Sequence, residues 1–535
     1  MARNQPSIHY PLPTIAKGHS LSARITINHL SPELLSEIFL FCVAVWPTNS
    51  THIPPFRGPS EFTCGDHLPW IAIAQVCRYW RSVALACGRL WNKLLFSSRK
   101  ATNEMIRRSA GVVLVVKAGS DYQPTDENVR IVIPDIGRVS VLHLHFPFRY
   151  LQPLLRDISS IATPKLASLR LSTGPPKPSD PYFNPEVLFH VPDIMFTRNK
   201  HTLRILELSL CSFPWPSLLC LSSLAHLELC KAAIRPTMAE VLALLRGLPM
   251  LETLILDQSL PAHNDTCLDA ISPRHFLPNL RVLTLGGRFK SCSNLLEHIA
   301  YPITTIATLN CETSSRESHS LSHFLPIAQS AFEYERDDHI IHSLSFAEAF
   351  GCFVLKCLVV HRSSTPLPSQ NPQLVVVLSH HQIPFSELVR STVATLPLAD
   401  VQALDLSILW RSQINWSEFF QHLPKITIIY VHRYFPAGLM EILSQELGTF
   451  LLPHLRSLWL TAVHFSGDNL QFLLACLQFR AQVGIAIQEL HLRDCWDLYG
   501  ADVERMKKHV HDVDWDRVEQ QELPWEHFVG PPNVS

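Results

Sequence analysis

Leu203-Arg204-Ile205-Leu206-Glu207-Leu208-Ser209-Leu210-Cys211 decides how this chain is read. Leu203, Leu206 and Leu208 fall at its first, fourth and sixth positions, the frame LxxLxL. Ile487-Gln488-Glu489-Leu490-His491-Leu492-Arg493-Asp494-Cys495 repeats that frame as far as the cysteine. With aliphatic substitutions the frame also begins at Val139, Leu166, Leu224, Leu251, Leu280, Val401 and Leu455, and more weakly at Ile306, Ile341 and Ile426. Steps between neighbouring clear copies include 21, 27, 29 and 37 residues, so the period is loose. Self-similarity of this length is the mark of a stacked repeat array. In an extended strand the fourth and sixth residues share one face and the residues between them point to the other.

Helices are expected between the frames. Thr237-x-x-Glu240 is a capping-box pattern ahead of Val241, Leu242, Leu244 and Leu245, with a stop near Gly247. Asp468 stands where it can cap a helix carrying Leu470, Phe472, Leu473, Leu474 and Leu477. Strand–helix alternation predicts an α/β solenoid over 110–498, with parallel strands on the concave side and helices or loops on the convex side. Residues alternating with the buried leucines then face the open side. Arg170, Glu207, Glu228, Thr284, Trp459 and His491 are the candidate surface for a protein substrate. Their mixed charge suits protein recognition better than phosphate binding. Residues 307–400 are the least legible. CFVLKCLVV (352–360) and QLVVVLSH (373–380) look like strands of ambiguous register, and 363–372 like an exposed loop.

Ahead of the repeats, Asn28 to Phe39 reads as a helix start. Ser31 can cap it, Pro32 suits its first position, and Glu33 sits near the positive end of its dipole. Leu34, Leu35, Ile38, Phe39, Cys42 and Val45 give one broad apolar face. A second helix is expected over Trp70–Leu85, with Ile73, Val76, Cys77, Trp80 and Ala84 as its stripe; Leu90 and Trp91 close the module.

Residues 27–91 resemble an F-box of the kind abundant in fungal F-box families. The likeness is carried by Leu30, Pro32, Glu33, Leu34, Leu35, Ile38 and Phe39, then by Val76, Cys77, Arg78, Trp80, Arg81, Ala84, Leu90 and Trp91. Two departures stand out: Leu30-Ser31 replaces the usual Leu-Pro pair, and a proline-rich insertion occupies 46–69. The resemblance implies an F-box-like domain over 27–96 that docks on the Skp adaptor and, through it, on the cullin scaffold of an SCF-type ubiquitin ligase. It implies docking through Leu30, Pro32, Leu34, Leu35, Ile38, Phe39, Val76, Cys77 and Trp80. The repeats resemble the irregular ones of leucine-rich F-box proteins, in which Cys211 and Cys495 would stand at an inward-turned Asn/Cys position. One alternative is that the module packs onto the repeats as a cap, leaving a protein-binding scaffold without a ligase role; a second is an unrecognised enzyme, which would need a deep pocket with converging titratable groups.

Composition bounds the rest. Of 535 residues 47% are hydrophobic and 17% charged, with a formal net charge of −1. That supports a large core and lacks the basic footprint of a nucleic-acid binder. Forty prolines against 18 glycines suit many stiff connections. The 14 cysteines contain no CxxC, and no apolar run reaches membrane-spanning length, so a cytoplasmic or nuclear protein with reduced thiols is expected. Residues 1–26 read as a disordered lead and 499–535 as a polar helix or tail. Asp512-x-Asp514-x-Asp516 lacks the glycine and glutamate of a calcium loop. His143-x-His145 and His509-x-His511 have no further ligands at a defined spacing. No nucleophile elbow, phosphate loop or zinc-protease motif occurs, so no catalytic residue, metal or cofactor is expected.

Overall fold

The computed structural model describes residues 27–45, 70–96, 98–119, 126–173, 189–261, 274–312, 339–349, 352–362, 370–379, 383–407, 414–436, 438–444, 452–465 and 468–519. The lead 1–26 and the insertion 46–69 lie outside them, as does most of the expected loop at 363–372.

The chain is mixed α/β and built as a repeat solenoid. Among the described residues 17 strands form one sheet. From Lys93–Leu94 to Ile306–Glu312 and from Ala403–Ser407 to Asp512–Trp515, each strand lies parallel beside the next one in sequence. The register stacks the frame on itself. Leu142, Leu169, Leu206, Leu227, Leu254 and Leu283 form one buried row; Leu144, Leu171, Leu208, Leu229, Leu256 and Leu285 form a second. Leu404, Ile429, Leu458 and Leu490 continue the pattern beyond the middle of the sheet. Each such side chain contributes about 1.5–3 kcal/mol by leaving water.

The middle departs from the all-parallel expectation. Leu374–Ser379, not His339–Ala349, pairs with Ile306–Glu312. Cys352–His361 comes next and runs antiparallel to both its neighbours, and His339–Ala349 then joins Ala403–Ser407. Strand order is therefore inverted through three strands, which is why no single period fits this stretch. The weak copy at Ile306 is also displaced. Leu283 pairs with Ala307 and Leu285 with Leu309, two residues away from the LxxLxL expectation. The copies at Ile341 and Ile426 hold their expected register.

Helices cover the leucine face. Met238–Arg246 has the expected capping box at Thr237 and Glu240 and buries Met238, Val241, Leu242, Leu244 and Leu245. Asn469–Gln482 forms as expected, but Asp468 makes no side-chain capping bond. Cys211 and Cys495 turn inward as the frame required. Cys211 Sγ lies 3.0 Å from the Ser209 carbonyl, and Cys495 Sγ 3.5 Å from those of Leu460 and Arg493.

Neither boundary of the array falls where composition put it. Lys93–Leu94 pairs with Leu114–Gly119, and one apolar core runs from Leu35 to Val510, so the helical module and the repeats are continuous. At the other end Asp512–Trp515 is a further strand, with Val510, Val513 and Trp515 in frame beside Ile487, Leu490 and Leu492. The polar segment hid it because an edge strand exposes alternate residues, here all aspartates.

In eight repeats the eighth residue turns left-handed: Leu210, Lys231, Gln258, Arg433, Ala462, Asp494 and Arg517, with Gly287 at the same position. Its N–H leaves the strand direction and reaches the next repeat, as from Lys231 to the Asp257 carbonyl (2.7 Å) and from Ala462 to that of Arg493 (2.8 Å). At Asp494 the acceptor is instead the Asp516 carboxylate, at 2.6 Å. A β-branched side chain is disfavoured in this conformation. Ala462→Val is expected to lower unfolding stability by about 1–2 kcal/mol, with Ala462→Gly staying above the valine variant. Urea unfolding of the two checks this.

Candidate partner-binding surfaces

Helix α1 (Pro32–Val45) begins as the sequence predicts, with the Leu34 N–H 3.4 Å from Ser31 Oγ. The expected second helix is two: α2 (Trp70–Ile73) and α3 (Arg78–Ala86). Cys77 breaks it by taking an extended backbone and accepting the Trp80 N–H at 3.4 Å. Several bonds fasten the module: Tyr79 Oη donates to the Leu30 carbonyl (2.7 Å), Arg81 Nε to the Ala74 carbonyl (2.9 Å), Arg89 pairs with Glu37 (2.7 Å), and Trp91 Nε1 donates to the Ala84 carbonyl (3.1 Å).

Helix α1 is apolar on two sides. Leu35 and Phe39 turn inward, at 0% and 1% exposure, with the Phe39 ring 5.1 Å from Trp80. They support the predicted docking face rather than form it. Leu34 (58%), Ile38 (38%) and Phe41 (68%) turn outward. Spacings of four and three residues put them on one stripe. Val76 and Pro32 are also exposed, while Leu30, Cys77 and Trp80 are half-buried. Phe41 and Ile71, which the family pattern did not nominate, join the exposed apolar set. Apolar residues clustered on the surface in this way mark an interaction site.

The six residues predicted for the open sheet face all occupy its central row. Through the N-terminal half this row reads His143, Arg170, Glu207, Glu228, Ile255, Thr284 and Thr308. Its charges neutralise one another. Arg170 is ion-paired with Glu207, and His226 Nε2 lies 3.3 Å from Glu207 and 3.7 Å from Glu228. Burial pushes the Glu207 carboxyl up, but His226 and Arg170 outweigh it and hold it below its ordinary value. Burial lowers the His226 imidazole, yet the two carboxylates raise it to about 9, so it is cationic at neutral pH. Glu207, His226 and Glu228 bring possible metal-ligand atoms within 4.8 Å of one another. Arg170 and protonated His226 already supply the positive charge there. His143 and His145, the pair noticed in the sequence, each meet a serine on the next strand, Ser168 (2.9 Å) and Ser172 (2.6 Å). Burial, with the Arg170 and Lys117 charges, lowers His143 to about 4.

The C-terminal half of the row reads Ser345, Asp405, Tyr430, Trp459, His491 and Asp514. Three rings stand side by side. Tyr430 and Trp459 are 5.7 Å apart, and Trp459 and His491 stack at 3.7 Å and 16°. His491 Nδ1 contacts Asp514 at 3.1 Å, and Arg493 also pairs with Asp514. Beyond the strand ends Tyr434, His464 and Trp496 make a second stack, at 5.9 and 5.5 Å. Tyr430 could have been found from the weak copy at Ile426, since it holds the fifth position there as Trp459 does in its own copy. The second stack follows from loop geometry that the frame does not encode.

A cleft of about 220 Å³ between Phe385–Thr395 and Trp416–Gln421 holds Glu387, Arg390 and Glu418. Arg390 is paired with Glu387, and Asn415 caps its own helix through the Glu418 N–H. Among the described residues no helix is long and apolar enough to cross a membrane.

No family model matches the chain, and no curated protein matches it. Among solved structures, a leucine-rich-repeat protein of Leptospira interrogans is similar at 14% identity and a TM-score of 0.32, over 87% of this chain and 100% of that one. The repeat architecture described above rests on this chain's own register.

The two histidines make opposite contributions to stability. The raised His226 contributes fully below about pH 6.5, and its contribution is lost as pH rises through about 9. The lowered His143 contributes above about pH 6.5 and loses its contribution as pH falls through about 4. Urea stability of the native chain is expected to fall more steeply between about pH 6.5 and 9 than that of His226→Gln. Equal slopes would remove His226 as the cause.

Proposed function

We propose that this chain is a substrate-recognition adaptor of an SCF-type ubiquitin ligase. In this reading the F-box-like helices dock on the Skp adaptor subunit, and the open face of the repeat sheet holds a protein substrate. The observation that carries it is the outward stripe Leu34, Ile38 and Phe41 on a helix whose opposite side is already buried. Had the module served only as a cap, Leu34 and Ile38 would pack on the repeats. A helix presenting apolar residues at such spacings suits insertion into a groove of a partner's helices. The likeness of residues 27–91 to an F-box gives that partner its identity. The chain's own contribution to catalysis is proximity: it holds substrate near a ubiquitin-charged enzyme supplied by the assembly.

A protein-binding scaffold without a ligase role is the second reading. It is favoured by the strand Lys93–Leu94, which ties the module into the sheet as its N-terminal end.

Co-purification with the Skp adaptor separates them. The native chain is expected to capture it, and Leu34→Asp/Ile38→Asp to lose capture while keeping its circular dichroism and melting temperature. Leu35→Ala, on the buried side, is expected to cost about 2–5 kcal/mol of stability. A well-folded native chain that captures no Skp adaptor leaves the scaffold.

A further inference from the structure

The two halves of the open face differ in how they treat charge. In the N-terminal half, neighbouring Glu207 and Glu228 are bridged by His226 and relieved by Arg170. In the C-terminal half, Glu489 and Asp512 are also direct cross-strand neighbours, and both are exposed. Like charges in that arrangement destabilise a sheet. His491, 3.9 Å from Glu489, is the contact on that side, and Asp512 makes no ion pair among the described residues. The guanidinium on this part of the face, Arg493, is engaged with Asp514. Lys356 lies on the reversed strand, two ladder steps from Asp405.

The central row here has a carboxylate at each end and rings between: Asp405, Tyr430, Trp459, His491, Asp514. Trp459 stacks on His491, and Tyr430 stands tilted beside Trp459, so the three rings form one half-buried strip across the strands. At about 4.8 Å per strand the row spans about 19 Å, the length of about six extended residues. Arginine and lysine lay long apolar stems along such a strip while their charged heads reach out to carboxylates.

We infer that this aromatic, acid-flanked face binds an extended protein segment rich in arginine or lysine. The inference rests on the reading that the open face holds a protein, and it gives the chemistry of that protein's bound segment. The segment lies across the strands, its stems on Tyr430, Trp459 and His491. Its cationic heads meet Glu489 and Asp512 beside the row, while Asp405, contacted by His432, and Asp514, contacted by His491 and Arg493, mark the row's two ends. Filling this surface removes the Glu489–Asp512 repulsion that the sheet carries alone.

The test uses the full chain and two short fluorescein-labelled peptides, one alternating arginine with glycine, the other glutamate with glycine. Fluorescence anisotropy is expected to show the arginine peptide binding at least about tenfold more tightly than the glutamate peptide. Glu489→Gln/Asp512→Asn, which alters two exposed side chains, is expected to weaken the arginine peptide by about tenfold, and Trp459→Ala to weaken it as well. Circular dichroism shows that each variant is folded. Leu34→Asp/Ile38→Asp is expected to bind the peptide as the native chain does, so failure of the docking helix and failure of this face read out separately. Absence of arginine-peptide binding, equal affinity for the two peptides, or undiminished affinity in the neutralised variant each overturns the inference.

Discussion

A parallel strand of five residues cannot satisfy itself. It leaves backbone donors and acceptors along both edges and a pair of leucines that no contact within the strand can cover. Most repeats here solve both problems with a neighbour, through a register that stacks aliphatic on aliphatic side chains and an N–H just past the strand that reaches the next repeat. The solution passes the problem along the array until something different ends it. At one end the helical module and Lys93–Leu94 do so. At the other, the last strand among the described residues, Asp512–Trp515, carries aspartates, and the Asp516 carboxylate takes the place of a carbonyl. Charged residues on an edge strand discourage further pairing with other chains.

Because the leucines carry the stacking, the residues between them are free of it, and the open face can differ along its length. One half uses that freedom to pair charges internally. The other builds a strip of rings. Helix α1 reaches a comparable division within fourteen residues, with Leu35 and Phe39 holding the module together while Leu34, Ile38 and Phe41 stay outside it.

Legibility in the sequence followed the same physics. Rows built from leucine were readable, and so was the side on which Arg170, Glu207, Glu228, Thr284, Trp459 and His491 stand, because alternation in a strand is strict. The capping box at Thr237 was readable because its chemistry is local. The reversed strand Cys352–His361 was not, since a run of apolar residues carries no direction. The left-handed turns escaped notice because Gly287 alone among them is a glycine. The terminal repeat was masked by its aspartates. Within α1, composition marked the apolar residues but could not divide them between inside and outside, which depends on where α2 and α3 pack.

The inverted strands at the centre have a consequence for synthesis. Ile306–Glu312 is finished by Leu374–Ser379, which leaves the ribosome only after the two strands that will lie beyond it. Until then the first half of the array ends on an uncovered edge. An unpaired edge of this kind is the feature that makes partly made chains aggregate. The later strands can meanwhile stack on one another from Ala403 onward. The molecule thus has a seam: a place where two parallel columns are joined through reversed strands, and where closure waits on the later part of the chain.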